Sequence, residues 1–163
     1  MMREQVDKIV TNLLVVIMAL MLLAVVWQVF SRYILGTPST LTGEMARYLL
    51  IWVSLLGGAY AAGQGMHLSI NLLPNRLSSS GKHKLSLLIC CVVILFALLA
   101  MVIGGGRLVY VTYVLGQSSS ALEIPLAWVY SVLPLSGSLI IYYKIHDMIL
   151  LIKSGPEPQN IRS

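Results

Sequence analysis

From Leu85 to Ile103 no residue carries a charge, and the interval from Lys84 to Arg107 corresponds to about 34 Å of helix. That length exceeds the roughly 30 Å hydrocarbon core of a bilayer, so the stretch reads as a membrane-crossing helix. Three further apolar runs of similar length flank it. Hydrophobic side chains make up 58% of the 163 residues and charged ones 10%, well under the roughly 25% usual in soluble domains. A soluble fold has too little polar surface here to cover its apolar content.

The runs divide the chain into spans of about 9–34, 44–65, 84–107 and 124–145. The fold class is therefore all-α integral membrane, with four transmembrane helices in a single domain, 1–153, and a polar tail, 154–163, expected to be disordered. The first run is too long for a signal-peptide core and ends in VWQVFSRY, without a small-residue cleavage pattern, so it is read as an uncleaved helix. Ser39, Thr40 and Thr42 are available to cap the second helix, and Pro134 is expected to kink the fourth. Gly104, Gly105 and Gly106 are expected to soften the far end of the third span. After the second span HLSINLLP alternates polar and apolar residues up to Pro74, which suits a short segment lying on the membrane surface.

Counted on alternating sides, eight Lys and Arg residues fall with the termini and the central loop, whereas Arg32, Arg47 and Arg107 fall on the other side. The positive-inside rule then makes both termini cytoplasmic. These cations form no dense patch with interleaved aromatics, which argues against nucleic acid and for membrane lipid. Adjacent Cys90 and Cys91 lie inside an uncharged run, where neither a redox pair nor a metal cluster is supported.

No span carries an ionisable residue near its midpoint, whereas proton relays and ion sites within a membrane normally require one. No hydrolase, metalloprotease or phosphate-loop pattern is present, so the chain reads as no enzyme. A thiol oxidase needs cysteine pairs in loops, and a small exporter needs an intramembrane acid. The residues favour a structural or assembly role instead.

The second helix holds most of the information. Glu44 and Arg47 stand at its start, and the next charged or histidine side chain is His67, about 30 Å further along the axis. Glu44, Arg47, Tyr48, Ile51, Leu55, Gly58 and Ala62 fall within about 120° of arc, and Ser54, Gly57, Ala61 and Gly65 extend that face into a stripe of small residues. Small stripes allow helix backbones to approach closely, either within this chain or against another membrane subunit. Glu44 and Arg47 have the spacing of a local ion pair, and His67 has no second histidine at ligand spacing, so no metal is expected.

EMARYLLIW, followed by Gly57, Gly58, Ala61 and His67, resembles the E-x-x-R-Y-x-x-x-W helix of the small membrane (Q) subunit of tripartite ATP-independent periplasmic (TRAP) transporters. Val29, Arg32 and Tyr33 match the end of that family's first helix. Ser120, Ala121, Leu122, Ile124, Pro125, Tyr130 and Pro134 match its S-x-L-x-I-P and Y-x-x-x-P patterns. Leu41 and Gly43 depart from it, standing where the family often has tryptophan and a second acid.

The resemblance implies a non-catalytic scaffold in the bacterial inner membrane. Its partners would be a large multi-span subunit, which carries the substrate and sodium sites, and a periplasmic substrate-binding protein that this chain helps to dock. No cofactor is expected on this chain. The implied cargo is an organic anion such as a C4-dicarboxylate, keto acid or sialic acid, with a structural subunit of another membrane complex as the alternative. Candidate interface residues are Arg32, Glu44, Arg47, Tyr48, Trp52, Gly57, Gly58, Ala61, Ala62, His67, Pro125 and Pro134.

Overall fold

A computed structural model describes residues 2–37, 39–64 and 79–154. The expected surface segment after the second span, His67 within it, and the tail beyond Ser154 lie outside the described residues. Among the described residues the chain forms helices and no strand: α1 (Met2–Tyr33), α2 (Thr40–Gln64), α3 (Ser79–Phe96), a π-helical stretch (Ala97–Gly104), α4 (Gly105–Val114), α5 (Leu126–Tyr130) and α6 (Val132–Ser154). Four helical stretches, 3–33, 40–64, 83–114 and 126–153, are long and apolar enough to cross a membrane.

Local chemistry explains the ends of these elements. Ser39 caps α2, its hydroxyl accepting the Thr42 amide at 3.4 Å. Gly116, at a φ of 60°, closes α4. Its amide donates to the Tyr113 carbonyl at 3.0 Å and that of Gln117 to the Thr112 carbonyl at 3.2 Å, the two bonds of a Schellman ending. The last crossing is interrupted at Ser131, because Pro134 has no N–H to return to the Tyr130 carbonyl. α5 and α6 are the two pieces.

The helices stand in a row: α1 packs on α2, α2 on α6, and α6 on α3 and the π-helical stretch. One apolar cluster joins Ile17 of α1, Leu56 of α2 and Val132 of α6. At the next seam glycine brings backbones together. A Cβ on Gly137 would meet the Met101 Cβ at 2.6 Å, and one on Gly105 the Leu133 Cβ at 2.9 Å. The third crossing therefore does not soften at Gly104–Gly106. It continues as helix to Val114, and Gly105 is a point of contact with the fourth.

Most of α1 is exposed, with Val15, Val16, Leu22 and Leu23 each more than half accessible. Acyl chains, unlike water, cover such a surface without penalty.

Candidate functional site

Three sets of contacts hold α2, one at each end and one in the middle. At its first turns, one oxygen of the Glu44 carboxylate accepts from the Ser119 hydroxyl, from the Ala121 amide at 2.9 Å and from the Leu122 amide at 3.2 Å. These donors belong to a compact turn between α4 and α5. Ser119 N–H donates to the Ile124 carbonyl at 2.9 Å, Leu126 N–H to the Gln117 carbonyl at 2.9 Å, and Glu123 takes a φ of 55° to close the turn. Pro125 bridges back to Ser118 and enters α5 in an extended conformation.

Two turns further along α2, the Trp52 indole N–H donates to the Val129 carbonyl at 3.2 Å. In an unbroken helix that carbonyl would accept from Leu133, so Trp52 satisfies an acceptor released by the break at Ser131. Glu44 and Trp52, eight residues apart on α2, thus hold α5 from either side, at the turn before it and at its last turn.

At its last turn, α2 meets charges from both neighbours. Arg3 of α1 donates to the Gly63 carbonyl at 2.7 Å and to Asp147 of α6 at 3.1 Å, and Lys144 lies 3.5 Å from the other Asp147 oxygen. Asp7 accepts from the Tyr143 hydroxyl at 2.6 Å and from the Gln64 amide at 3.5 Å. Arg3 satisfies a terminal helix carbonyl and complements the negative end of the helix dipole. With Arg3 and Lys144 balanced by Asp7 and Asp147, these groups have no net charge, which is what permits Asp147 a side-chain exposure of only 3%. Gly63 makes the approach possible, since a Cβ there would come within 2.7 Å of the Tyr143 ring.

The expected interface residues therefore separate. Glu44 does not pair with Arg47 but turns to the 119–122 loop. Tyr48 and Ala62 are half-buried, and Gly57 lies 3.9 Å from Leu14 at the position a Cβ would take. Arg47, Ser54, Gly58 and Ala61 are exposed along one side of α2, and a Cβ on Gly58 would meet nothing within 4 Å. Arg32 is exposed, its guanidinium 6.0 Å from the Tyr33 ring centre, and Pro134 packs on Gly105.

Sequence reasoning missed Arg3, Asp7, Gly63, Tyr143 and Asp147. The last span is expected at about 124–145, whereas α6 continues as helix to Ser154. The available signal was the spacing: Arg3 and Asp7 at i,i+4, and Lys144 and Asp147 at i,i+3, place opposite charges on one face of each helix. Cys90 is buried and Cys91 exposed, and the two form no disulfide.

Four apolar helices, each long enough to cross a bilayer and joined by polar contacts at both ends of α2, define a multi-span membrane protein. Comparison with known proteins assigns it more narrowly. Residues 8–154 match the family described as tripartite ATP-independent periplasmic transporters, DctQ component, and the chain belongs to that family. It is 26% identical over 158 residues to the sialic acid TRAP transporter small permease protein SiaQ of Vibrio cholerae, covering 94% of this chain and 87% of that one. A putative TRAP transporter small permease protein of Haemophilus influenzae is 33% identical over 96 residues, 55% of this chain and 60% of its own. The C4-dicarboxylate TRAP transporter small permease protein DctQ of Rhodobacter capsulatus is 26% identical over 117 residues, 72% and 51% of the respective chains.

Proposed function

We propose that this chain is the non-catalytic scaffold of a TRAP transporter in the bacterial inner membrane, acting as one membrane domain over residues 1–153. The exposed side of α2 packs against the large membrane subunit. One observation carries this reading. The polar groups Glu44 and Trp52 are bonded within the chain, while Ser54, Gly58 and Ala61 stay exposed as a small-residue stripe below Arg47. Arg32, Tyr48, Gly57, Ala62, Pro125 and Pro134 support the same surface or the helices behind it, and His67, outside the described residues, stays a candidate partner contact.

The eight-to-three distribution of Lys and Arg favours cytoplasmic termini, which puts the Glu44 end of α2 on the periplasmic side, where a substrate-binding protein arrives. The large subunit holds sodium and cargo, and this chain helps to dock the binding protein. Since the relatives are described as sialic acid and C4-dicarboxylate transporters, the cargo is an organic anion of that kind.

Purification of the tagged chain in mild detergent, followed by sodium-driven uptake with and without it, tests the reading. Co-purification of a large multi-span subunit and loss of uptake on deletion are expected. Full uptake without the chain would overturn the scaffold role.

A further inference from the structure

At the Gly63 end the crossings stop at different heights. α2 ends at Gln64, with Arg3 of α1 on the Gly63 carbonyl, whereas α6 runs on to Ser154. Leu150 stands seven residues past Tyr143 on α6, and so on the same face, about 10 Å beyond the ring that Gly63 meets. It is 50% exposed. α3 lies along another side of α6 and reaches at least as far. The contact of Gly137 with Met101 sets an antiparallel register that puts Leu150 near the level of Leu88, and Ser79 beyond the end of α6. α1 and α2 thus form the low side of a step whose high side is α3 and α6.

Neither solvent suits this step. Leu88 belongs to the charge-free run that starts at Leu85, so hydrocarbon reaches the level of Leu150 on the α3 side. Acyl chains over the low side would meet Arg3, 27% exposed, and the last carbonyls of α2, and could pair with none of them. Open water would meet Leu150. Connectivity supplies a cover of mixed character. α6 packs on both α2 and α3, and residues 65–78 join α2 to α3. From Gln64 to Ser79 the chain rises about 22 Å and crosses at most two helix spacings of 8–10 Å, about 30 Å against the ~50 Å that fifteen peptide steps can reach. The direct route leads past the Leu150 side of α6. Along it Met66, Leu68, Ile70 and Leu72 alternate with polar residues, and Leu68 and Leu72 share a face at a period of 2 or of 3.6 alike.

We propose that residues 65–78 of this chain dock over the step, with Leu68 and Leu72 packed on Leu150 and the ion pair of Arg3 and Asp147 enclosed beneath them. The apolar side chains cover Leu150, and the polar backbone between them lies toward the end of α2. The contact is made within one chain, so it stands or falls separately from the scaffold role.

The test uses the full chain in membrane vesicles, with Cys90→Ala and Cys91→Ala removing the native thiols. Leu150→Cys is combined with Leu68→Cys, Leu72→Cys or Ser69→Cys, oxidised with copper phenanthroline, and the linked peptides are quantified by mass spectrometry. A disulfide needs the two Cα atoms within about 7 Å. Leu68→Cys or Leu72→Cys is expected to link to Leu150→Cys within one chain roughly tenfold more than Ser69→Cys does, and roughly tenfold more than either links to Ile152→Cys on the opposite side of α6. A second measurement labels Leu150→Cys alone with a water-soluble maleimide. Labelling slower than that of Ser163→Cys is expected, and the added pair Leu68→Asp and Leu72→Asp should raise it, with far-UV circular dichroism confirming that each variant is helical. No link from either leucine, equal linking by Ser69→Cys or to Ile152→Cys, or links that only join two chains would each overturn the proposal. So would labelling of Leu150→Cys as fast as Ser163→Cys, which would mean that water covers the step, or slow labelling unchanged by the aspartates, which would mean that acyl chains do.

Discussion

The Glu44 carboxylate accepts the Ala121 amide hydrogen at 2.9 Å across a sequence separation of 77 residues. That bond ties the start of the second crossing to the turn before the fourth. It gives the acid a role inside the chain, and it leaves Arg47, one turn further on, facing outward.

Glu44→Ala removes the shared acceptor of three donors, so the thermal midpoint in detergent is expected to fall further than in Ser119→Ala. The double variant should lose less than the sum of the singles, because both act on one network. Additive losses would mean that Glu44 and Ser119 stabilise the chain independently.

Trp52→Phe keeps an aromatic ring, though a smaller one, and withdraws the N–H from Val129. A loss of about 1 kcal/mol is expected in chemical denaturation, the scale of one hydrogen bond to a released carbonyl. An unchanged midpoint would show that the Val129 carbonyl finds another donor.

At the opposite end, Asp147→Ala strands Lys144, leaves Arg3 with the Gly63 carbonyl alone, and is expected to cost roughly 3 kcal/mol, the range for breaking a buried pair. Arg3→Ala should cost less, since Arg3 is 27% exposed and Lys144 still faces Asp147. The order of the two denaturation midpoints is the measurement, and the reverse order would contradict the geometry.

Glycines on α2 should respond according to what each faces. Gly63→Ala drives a methyl into the Tyr143 ring and is expected to destabilise by about 1–3 kcal/mol. Gly58→Ala, with nothing within 4 Å, should stay within about 0.5 kcal/mol of the parent.

Gly58→Leu gives the interface its own test. Chain stability in detergent should be unaffected, while recovery of the large subunit on the tagged chain falls, because the bulk stands where a partner helix approaches. Full recovery would move the interface off this side of α2.

The sequence by itself determined the four crossings. Uncharged runs longer than a bilayer admit few other structures, and each crossing satisfies its backbone locally, so the information lies within the run. It also singled out Glu44, Arg47, Trp52 and the small stripe on α2, because they stand out in an apolar helix. Only the tertiary structure decided what those residues face. Glu44 meets Ser119 and Ala121, Trp52 meets Val129, and Arg3 meets Gly63 and Asp147, across separations that no local period encodes. Helix spacing sets which side chains share a face; the packing of one crossing on another sets whether that face is used up inside the chain or left for a neighbour.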